Sequence, residues 1–593
     1  MNASKLSMSP EDIREKYRKE RDKRLRPDGV AQFHELKGIY EDFDRDPYVE
    51  PGFTRDPVIE ETDVVIVGGG FGGMHAAHQL TLRGVRKIRI IEKGGDFGGT
   101  WYWNRYPGCA CDVESYTYIP FLEETGYMPV EKYAKAPEIF AVAQKAGRQL
   151  GLYEMALFQT LTDEARWDDD AKRWIVTTNR GDRLAARFLI VAGGILHKAK
   201  LPGIPGLETF KGKSFHTSRW DYSYTGGSPS EPMDKLGDKT IAIIGTGATS
   251  VQIVPEVAKV AKQVIVCQRT PANVSVRGNA PTDWEWARSL KPGWWKERLE
   301  NFTNVVSGMP FETDLINDGW SHIYRGFLPY GGADKMALPL EERLLVDFEI
   351  MEGIRQRVSE IVEDPATAEA LKPWYDVWCK RPAFHDEYLQ AFNLPNVKLL
   401  DTEGKGVDAI TERGIVVAGV EYPVDCIAFA SGFEIGTVYK SRIGFELYGR
   451  GGVSLTDDWQ SGATAHSLHG FLSRGFPNAF LYNGAQGGQT TNFLHVMYES
   501  AIHVAEIVKA VTDRGAHEVE PTTEAEEAWW EVVMGGLWGA YDQMKECTPS
   551  WLNGEGQRDP SKMKLAIYMG SLTVYAQMIR DWREQGMPGL EMK

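Results

Sequence analysis

The chain has 593 residues, too many for one compact core, so we expect about two to four domains. Its net charge of -16 argues against nucleic acid or an anionic membrane surface as the main partner. Six cysteines in this length do not make a disulfide framework, and no run approaches the ~18 apolar residues of a membrane span, so we expect a protein of the reducing cytoplasm.

The first 58 residues form an extension that precedes any strand-like run. Alternating charges from Glu11 to Arg26 predict a surface helix with i,i+4 ion pairs. A solvated helix explains this pattern better than a binding arm, because charge runs are usually solvated faces.

A Gly-rich turn follows the first predicted strand. TDVVIVGGG indicates a buried strand, followed by the helix MHAAHQLTLRG and the strand KIRIIEK. Gly68, Gly70 and Gly73 fit G-x-G-x-x-G, in which the glycines make the turn, admit a pyrophosphate and pack helix against strand. Glu92 ends the next strand about 20 residues on, where a carboxylate accepts hydrogen bonds from ribose hydroxyls. The turn, which also contains Gly72, therefore predicts dinucleotide binding.

A second βαβ unit begins at KTIAIIGTGATS, continues as a helix through Ala261 and ends in the strand QVIVCQRT. Counted from the first glycine of each turn, Arg269 falls level with Glu92. A carboxylate repels a 2′-phosphate, whereas a guanidinium binds one bidentately. We therefore predict FAD in the first unit and NADPH in the second, a pair that passes hydride from nicotinamide to flavin. The other residues expected at NADPH are Gly245, Thr246, Gly247, Ala248, Thr249, Ser250 (in place of the third glycine), Gln252 and Thr270.

These units predict an α/β fold of two Rossmann-like domains, for FAD and NADPH, with a helical insertion in or beside the NADPH domain. Residues 283–372 are rich in Trp, Glu, Arg and Leu at helical spacing and form that insertion. We expect the FAD domain in two parts, 59–205 and 391–593, the second with the C-terminal segment. The NADPH domain would then occupy 206–390.

Two long motifs resemble those of type I Baeyer–Villiger monooxygenases. One matches F-x-G-x-x-x-H-x-x-x-W-[P/D] and lies between the two units, as it does in that family. The other, residues 98–112, matches G-G-x-W-x(4)-Y-P-G-x(3)-D, and DCIAFASG resembles the strand with A-T-G of flavoprotein monooxygenases, with Ser431 for the usual Thr. The resemblance covers about residue 60 to the C-terminus, and the extension is similar to that of the cyclopentadecanone monooxygenase subgroup. The residues of the first motif are Phe210, Gly212, His216, Trp220 and Asp221.

The resemblance implies a catalytic arginine that follows a lysine in a K-R-P element. Here these are Lys380, expected at the 2′-phosphate, and Arg381, expected beside the flavin. A permanently protonated guanidinium stabilises the anions of reduced flavin and of its C4a-peroxide. Asp112 is expected to orient Arg381, although a helix cap is the alternative. His216 and Trp220 are expected to couple NADPH binding to catalysis without touching the reacting atoms.

Further residues are expected at the cofactors, partly from the second motif and partly from a C-terminal Trp and a loop that closes over the flavin in the family. They are Gly99, Thr100, Trp101, Trp103, Tyr118, Gln489, Asn492, Phe493 and Trp551.

The predicted reaction is NADPH- and O2-dependent oxidation of ketones to esters or lactones through a flavin C4a-peroxide, in a monomer. A flavin monooxygenase acting on nitrogen or sulfur shares both folds but lacks the His-to-Trp-Asp ending. A disulfide reductase needs C-x(4)-C, and Cys109 and Cys111 have the wrong spacing for it; without a second ligand pair they predict no metal site either. A non-catalytic flavin-binding protein is the remaining alternative.

Overall fold

The computed structural model describes residues 6–327, 339–435, 437–536, 544–557 and 559–593. Residues 328–338 of the predicted helical insertion lie outside the described residues. Among the helices that the structure describes, none is both long and apolar enough to cross a membrane.

The first Gly-rich turn follows a strand of a sheet that has eight strands within the described part of the chain. Their order is β19-β5-β6-β7-β2-β3-β4, with β20 beside β7, where β19 is Glu446–Tyr448 and β20 is Ala479–Leu481. Strand β2 is central and pairs in parallel with both β3 and β7. Its residues 64–67 form the continuous apolar run of a strand covered on both faces. The elements up to residue 205 are α1 Pro10–Asp22, β1 Phe33–His34, β2 Ile59–Val67, α2 Phe71–Leu82, β3 Ile88–Ile91, α3 Thr100–Trp103, α4 Ser115–Tyr118, α5 Leu122–Thr125, α6 Ala136–Gln149, β4 Ala156–Leu157, β5 Thr162–Asp168, β6 Arg173–Thr178, β7 Arg183–Val191 and β8 Leu201–Pro202.

The second turn belongs to a five-stranded parallel sheet with the order β14-β11-β10-β18-β9. The predicted helical insertion is confirmed, and it lies between β12 and β13 of this domain as helices α9 to α13. The elements are β9 Lys213–His216, α7 Tyr222–Thr225, β10 Thr240–Ile244, α8 Ala248–Ala258, β11 Gln263–Gln268, β12 Val274–Ser275, α9 Trp284–Ser289, α10 Trp294–Ser307, α11 Gly319–Phe327, α12 Leu340–Ile361, α13 Pro365–Leu371, β13 Ala383–Phe384, α14 Tyr388–Ala391, β14 Val397–Asp401, β15 Ala409–Ile410, β16 Gly414–Val417, β17 Val420–Pro423 and β18 Cys426–Phe429.

The boundary expected at residue 391 is wrong, because two strands beyond it belong to the second sheet. Strand β14 pairs with β11, and β18 pairs with β10. The first sheet resumes only at β19, which pairs with β5. A short apolar strand fits the interior of either sheet equally well, so its composition does not show which partner it takes. The remaining elements are α15 Tyr439–Ile443, β19 Glu446–Tyr448, α16 Leu455–Asp458, β20 Ala479–Leu481, α17 Phe493–Asp513, β21 Val519–Pro521, α18 Thr523–Gly535, α19 Leu572–Glu584 and β22 Leu590–Met592.

The N-terminal extension packs against two regions, the helical insertion and the connection between the two sheets. In α1, the Tyr17 ring meets Phe348 of α12 edge-on, and its hydroxyl donates to Asp347 at 3.2 Å. Further along, β1 pairs with β8, which lies in the connection between the two sheets. The extension is therefore docked on the insertion and on the interdomain connection.

Candidate active site between the two nucleotide-binding units

A cavity of about 1170 Å³ lies between the two Gly-rich turns. Pockets for one drug-sized ligand measure about 300–1,000 Å³, so this cavity has room for more than one. Both turns and the K-R-P element line it. The expected site residues in its wall are Gly68, Gly70, Gly72, Glu92, Gly99, Thr100, Trp101, Trp103, Asp112, Tyr118, Gly245, Thr246, Gly247, Ala248, Thr249, Gln252, Arg269, Thr270, Lys380, Arg381, Gln489, Phe493 and Trp551.

Three residues expected at the cofactors do not line this cavity. Gly73 packs helix against strand, since a Cβ there would lie 1.9 Å from the carbonyl oxygen of Gly68. Ser250 is fully buried inside α8. Asn492 caps α17 by accepting from the Leu494 amide, and it donates to the Thr117 carbonyl at 3.1 Å. Each of them therefore supports the wall from behind.

The first turn has the geometry of a pyrophosphate cradle. Gly68 has a φ of 111°, and a Cβ there would lie 2.3 Å from the carbonyl oxygen of Ala192. Gly70 caps α2 without any side-chain hydrogen bond, so the first amides of the helix keep their capacity to donate. These amides and the helix dipole fit an anionic phosphate group.

Glu92 lies buried at the end of β3, beside the same turn. Its two carboxylate oxygens accept from the Gly69 amide at 2.5 Å and from the Gly94 amide at 2.6 Å. Burial raises the pKa of Glu92, and these backbone hydrogen bonds counteract part of that rise. The carboxylate fits the ribose of a nucleotide that has no 2′-phosphate.

The second turn repeats the arrangement at the start of α8. Gly245 has a φ of 110°, and Gly247 caps the helix without a side-chain hydrogen bond. Gln252 joins this helix to the first domain by donating to the Ala110 carbonyl at 2.9 Å and accepting from the Tyr106 hydroxyl at 3.1 Å. The turn therefore fits a second pyrophosphate.

Basic side chains surround the end of β11, where the second ribose is expected. Arg269 donates to Gln32 of the extension at 2.6 Å and to Glu555 at 3.2 Å. Glu555 also accepts from Lys200 at 2.8 Å. Lys380 donates to the carbonyl of Pro549 at 3.1 Å. No motif pointed to Gln32, Lys200 or Glu555, because each is remote from the turn in the chain.

Arg381 and Asp112 form a two-pronged ion pair in the cavity wall. Nη2 of Arg381 donates to one Asp112 oxygen at 2.6 Å, and Nη1 donates to the other. The Arg381 side chain is 42% exposed and faces the cavity, whereas that of Asp112 is 9% exposed. Burial alone would raise the pKa of Asp112, but the guanidinium lowers it below the usual range. Both groups are therefore charged.

Trp320 of α11 supports this pair from the insertion. Its indole N–H donates to the Asp112 carbonyl at 3.0 Å, and its ring centroid lies 5.1 Å from the Arg381 guanidinium carbon. The sequence offered no signal for this residue, because it is one of 18 tryptophans in the chain. The insertion thus reaches the expected catalytic pair directly.

The F-x-G-x-x-x-H motif lies behind the cavity instead of in its wall. His216 is buried, its Nδ1 lies 2.8 Å from the Ser218 hydroxyl, and burial lowers its pKa to about 3. Trp220 is fully buried and donates to the Thr225 hydroxyl at 3.1 Å. Asp221 caps α7, and Phe210 and Gly212 lie ahead of β9. This placement agrees with a role that involves no contact with the reacting atoms.

Two cysteines form a disulfide that the residue count did not suggest. Cys379, which precedes Lys380, is bonded to Cys547 across 168 residues of sequence. The remaining cysteines are free and buried: Cys109, Cys111, Cys267 and Cys426. The disulfide attaches residues 544–557 to the K-R-P element.

Comparisons with known proteins agree with this geometry. Residues 62–285 match the model of the pyridine nucleotide-disulphide oxidoreductase family. The chain is 46% identical to a Baeyer–Villiger monooxygenase, ATR8, of Stachybotrys chlorohalonatus, over 98% of this chain and 94% of that protein. Its structure is similar to the polycyclic ketone monooxygenase of Thermothelomyces thermophila, with a TM-score of 0.92 and 38% identity over 98% of this chain and 99% of that one.

A further solved structure, OTEMO in complex with FAD and NADP, has a TM-score of 0.75–0.76 depending on its form and, in form 4, 28% identity over 91% of this chain and all of that one. The two cofactors of that complex are those that the two Gly-rich turns fit here. The 46% identity to ATR8 covers 98% of this chain, so the similarity extends well beyond the nucleotide-binding turns. The chain therefore belongs to the Baeyer–Villiger monooxygenases, flavoenzymes that use FAD, NADPH and O2 to oxidise ketones to esters or lactones.

Proposed function

We propose that Arg381 and Asp112 are the catalytic pair of this oxidation and that the substrate is a bulky polycyclic ketone. The catalytic assignment is supported by the two-pronged Arg381–Asp112 ion pair, which lies in the wall of a cavity shared by both nucleotide-binding turns. When bound, FAD and NADPH supply the reducing equivalents and the activation of O2.

Arg381 provides a fixed positive charge where negative charge develops. Burial by itself would lower the pKa of Arg381, but Asp112 raises it above its ordinary value, so the guanidinium stays protonated throughout. A preorganised cation in a partly dehydrated site stabilises charge on a ketone oxygen without reorganising at the moment of reaction. Asp112 holds the guanidinium in place, and the Trp320 ring restricts it from another side.

The wall of the shared cavity supports a large apolar substrate. Aromatic side chains from six positions far apart in the sequence contribute to it, so a rigid polycyclic skeleton finds apolar contacts on several sides. The similarity to a polycyclic ketone monooxygenase over nearly the whole of both chains points the same way. The aromatic residues in question are Tyr118, Trp320, Trp378, Phe433, Phe493 and Trp551.

Replacing Arg381 by Ala tests the catalytic assignment. We expect ester or lactone formation from a polycyclic ketone to fall by about 10²–10³-fold, the usual effect of removing one preorganised charge-stabilising donor. Products are quantified by gas chromatography after incubation with NADPH in air, across linear, monocyclic and polycyclic ketones. Undiminished product formation would place the reacting centre elsewhere, and equal rates for all ketone sizes would contradict the substrate class.

Arg187→Ala is the matched control. Arg187 is half-buried in β7, donates to the Ala516 carbonyl and does not line the cavity. Its removal is expected to leave both product yield and FAD content unchanged. The FAD absorbance of both variants reports whether they are folded.

We also propose that the protein works in the cytoplasm and as a monomer. Its strongly negative charge supports the monomer by disfavouring self-association. Light scattering on the FAD-loaded protein should give the mass of one 66.5 kDa chain. A mass of twice that value would overturn the monomer.

A further inference from the structure

A buried carboxylate lies among the cations at the end of β11. Glu555 accepts from Lys200 at 2.8 Å through one oxygen and from Arg269 at 3.2 Å through the other. Its side chain is only 5% exposed, so water screens its charge little. Burial alone would raise the pKa of Glu555, but Lys200 and Arg269 lower it below the ordinary range. The carboxylate is therefore an anion at neutral pH, in a cationic site.

The turn that presents Glu555 has an unusual backbone. Gly554, Glu555 and Gly556 have φ values of 60°, 58° and 84°, in the left-handed region that a glutamate rarely adopts. The Glu555 amide donates to the Ser550 carbonyl at 2.8 Å, and Asn553 accepts from the Ser550 and Gly556 amides. Strained residues persist where the surroundings over-determine them, and they cluster at ligand sites.

The same segment is attached to the K-R-P element at three points. Cys547 is bonded to Cys379, Ser550 donates to the Cys379 carbonyl at 3.0 Å, and Lys380 donates to the Pro549 carbonyl at 3.1 Å. These contacts hold Glu555 at a set position relative to Lys380 as well as to Arg269. A ligand phosphate at Arg269 has to share its cations with Glu555.

We propose that Glu555 is a specificity-determining residue that weakens the binding of NADP(H) by competing with the 2′-phosphate for Arg269 and Lys200. The inference rests on the expectation from the sequence that Arg269 and Lys380 bind that phosphate, which we adopt as part of the proposed function. A phosphate dianion held by buried cations alone would dissociate slowly. A nearby carboxylate lowers the positive potential and so favours release of NADP⁺, while a nucleotide without the 2′-phosphate is hardly affected.

Glu555→Gln tests this, because the amide keeps the shape and an acceptor oxygen but removes the charge. Titration calorimetry on the FAD-loaded protein measures the Kd of NADP⁺ and of NAD⁺ at one ionic strength. We expect the variant to bind NADP⁺ about tenfold more tightly, the effect of ~1.4 kcal/mol, with the Kd of NAD⁺ changed less than about threefold. Glu555→Ala is also expected to bind NADP⁺ more tightly. The Kd values of either variant, if it is soluble, are therefore enough to test the proposal.

Two further variants separate charge from structure. Lys200→Met removes a cation from the cluster and is expected to weaken NADP⁺ binding. Glu520→Gln is the matched control, since Glu520 is also a buried glutamate in an arginine ion pair, with Arg450, and does not line the cavity. It should leave both constants unchanged.

The outcomes distinguish this inference from the assignment beneath it. Unchanged or weaker NADP⁺ binding in the Glu555 variants overturns the competition. Equal affinity of the unsubstituted protein for NADP⁺ and NAD⁺ overturns the 2′-phosphate site itself.

Discussion

Arg381 and Asp112 stabilise each other's charge. The carboxylate keeps the guanidinium protonated and oriented, and the guanidinium keeps the buried carboxylate ionised. Removing one partner of such a pair leaves the other uncompensated, which costs more than the pair contributes. Single charges at the second nucleotide site are equally sensitive to their neighbours, and Lys380 is the clearest case.

Lys380 should make NADP⁺ binding depend on pH. Burial, and next the charge of Arg269, lower its pKa to about 7. A 2′-phosphate stabilises the ammonium form, so the pKa is higher in the complex than in the free protein. Affinity is then full below pH 7 and falls as pH rises above 7, by at most about tenfold per pH unit, with uptake of a proton on binding.

Calorimetry between pH 6 and 9, in buffers of different ionisation enthalpy, measures both the affinity and the proton uptake. Lys380→Arg stays charged across this range and should bind NADP⁺ with little pH dependence. NAD⁺ should show no such dependence with either protein. The same slope in Lys380→Arg as in the unsubstituted protein would assign the titration to another group.

At the scale of elements, segments distant in sequence complete the site. The two strand–turn–helix units carry the glycine turns, but α11 supplies Trp320, the extension supplies Gln32, and residues 544–557 supply Trp551 and Glu555. Within residues 544–557 the described backbone forms only short helical turns, so the position of this segment depends on its attachments. The Cys379–Cys547 disulfide is the one covalent attachment among them.

Cys547→Ser should loosen this segment. Removing a disulfide that closes a long loop typically costs about 2–4 kcal/mol, so we expect a lower thermal midpoint and several-fold weaker NADP⁺ binding. Thiol titration of the denatured, unreduced protein should find the four free cysteines and no more. Cys426→Ala, at a free cysteine outside the cavity wall, should leave NADP⁺ affinity unchanged. Six reactive thiols would contradict the disulfide.

At the scale of the whole molecule, the cavity lies between two domains, because its wall contains the Gly-rich turns of two different sheets. Contacts such as Gln252 to Ala110 join α8 to the first domain, so relative movement of the domains changes the shape of the site.

Stability far from the cavity rests on other polar clusters. His466 is one, linking α16 to α18 through Asp458 and Glu526 at 2.9 Å each.

His466→Gln should destabilise the protein in a pH-dependent way. Burial alone would lower the pKa of His466, but hydrogen bonds to Asp458 and Glu526 outweigh it and raise the pKa to about 9. Because this exceeds the unfolded value of about 6.5, the stabilisation is fully present below pH 6.5 and is lost as pH rises through 9. We expect a midpoint a few degrees lower at pH 6 that converges with the parent above pH 9.

Scanning calorimetry across this range measures the effect. His517→Gln, at an exposed histidine with no carboxylate ion pair in the described chain, is the matched control and should leave the midpoint unchanged at every pH. A constant difference between His466→Gln and the parent from pH 6 to 9.5 would show that the charge of His466 does not stabilise the fold.

The two nucleotide-binding turns, the acid at Glu92, the base at Arg269, the helical insertion and the family were all predictable from the sequence. Each depends on a few consecutive residues, or on a spacing within one βαβ unit, where backbone geometry dictates which residues fit. The clearest examples are Gly68 and Gly73, where a Cβ atom would clash with a backbone carbonyl oxygen.

Only the tertiary structure decided which sheet β14 and β18 join, how Asp112 meets Arg381 across 269 residues, and which segments surround Arg269. Apolar strands fit either sheet, and one charged residue among many carries no mark of its partner. Such contacts depend on the packing of whole elements, and no local pattern encodes them.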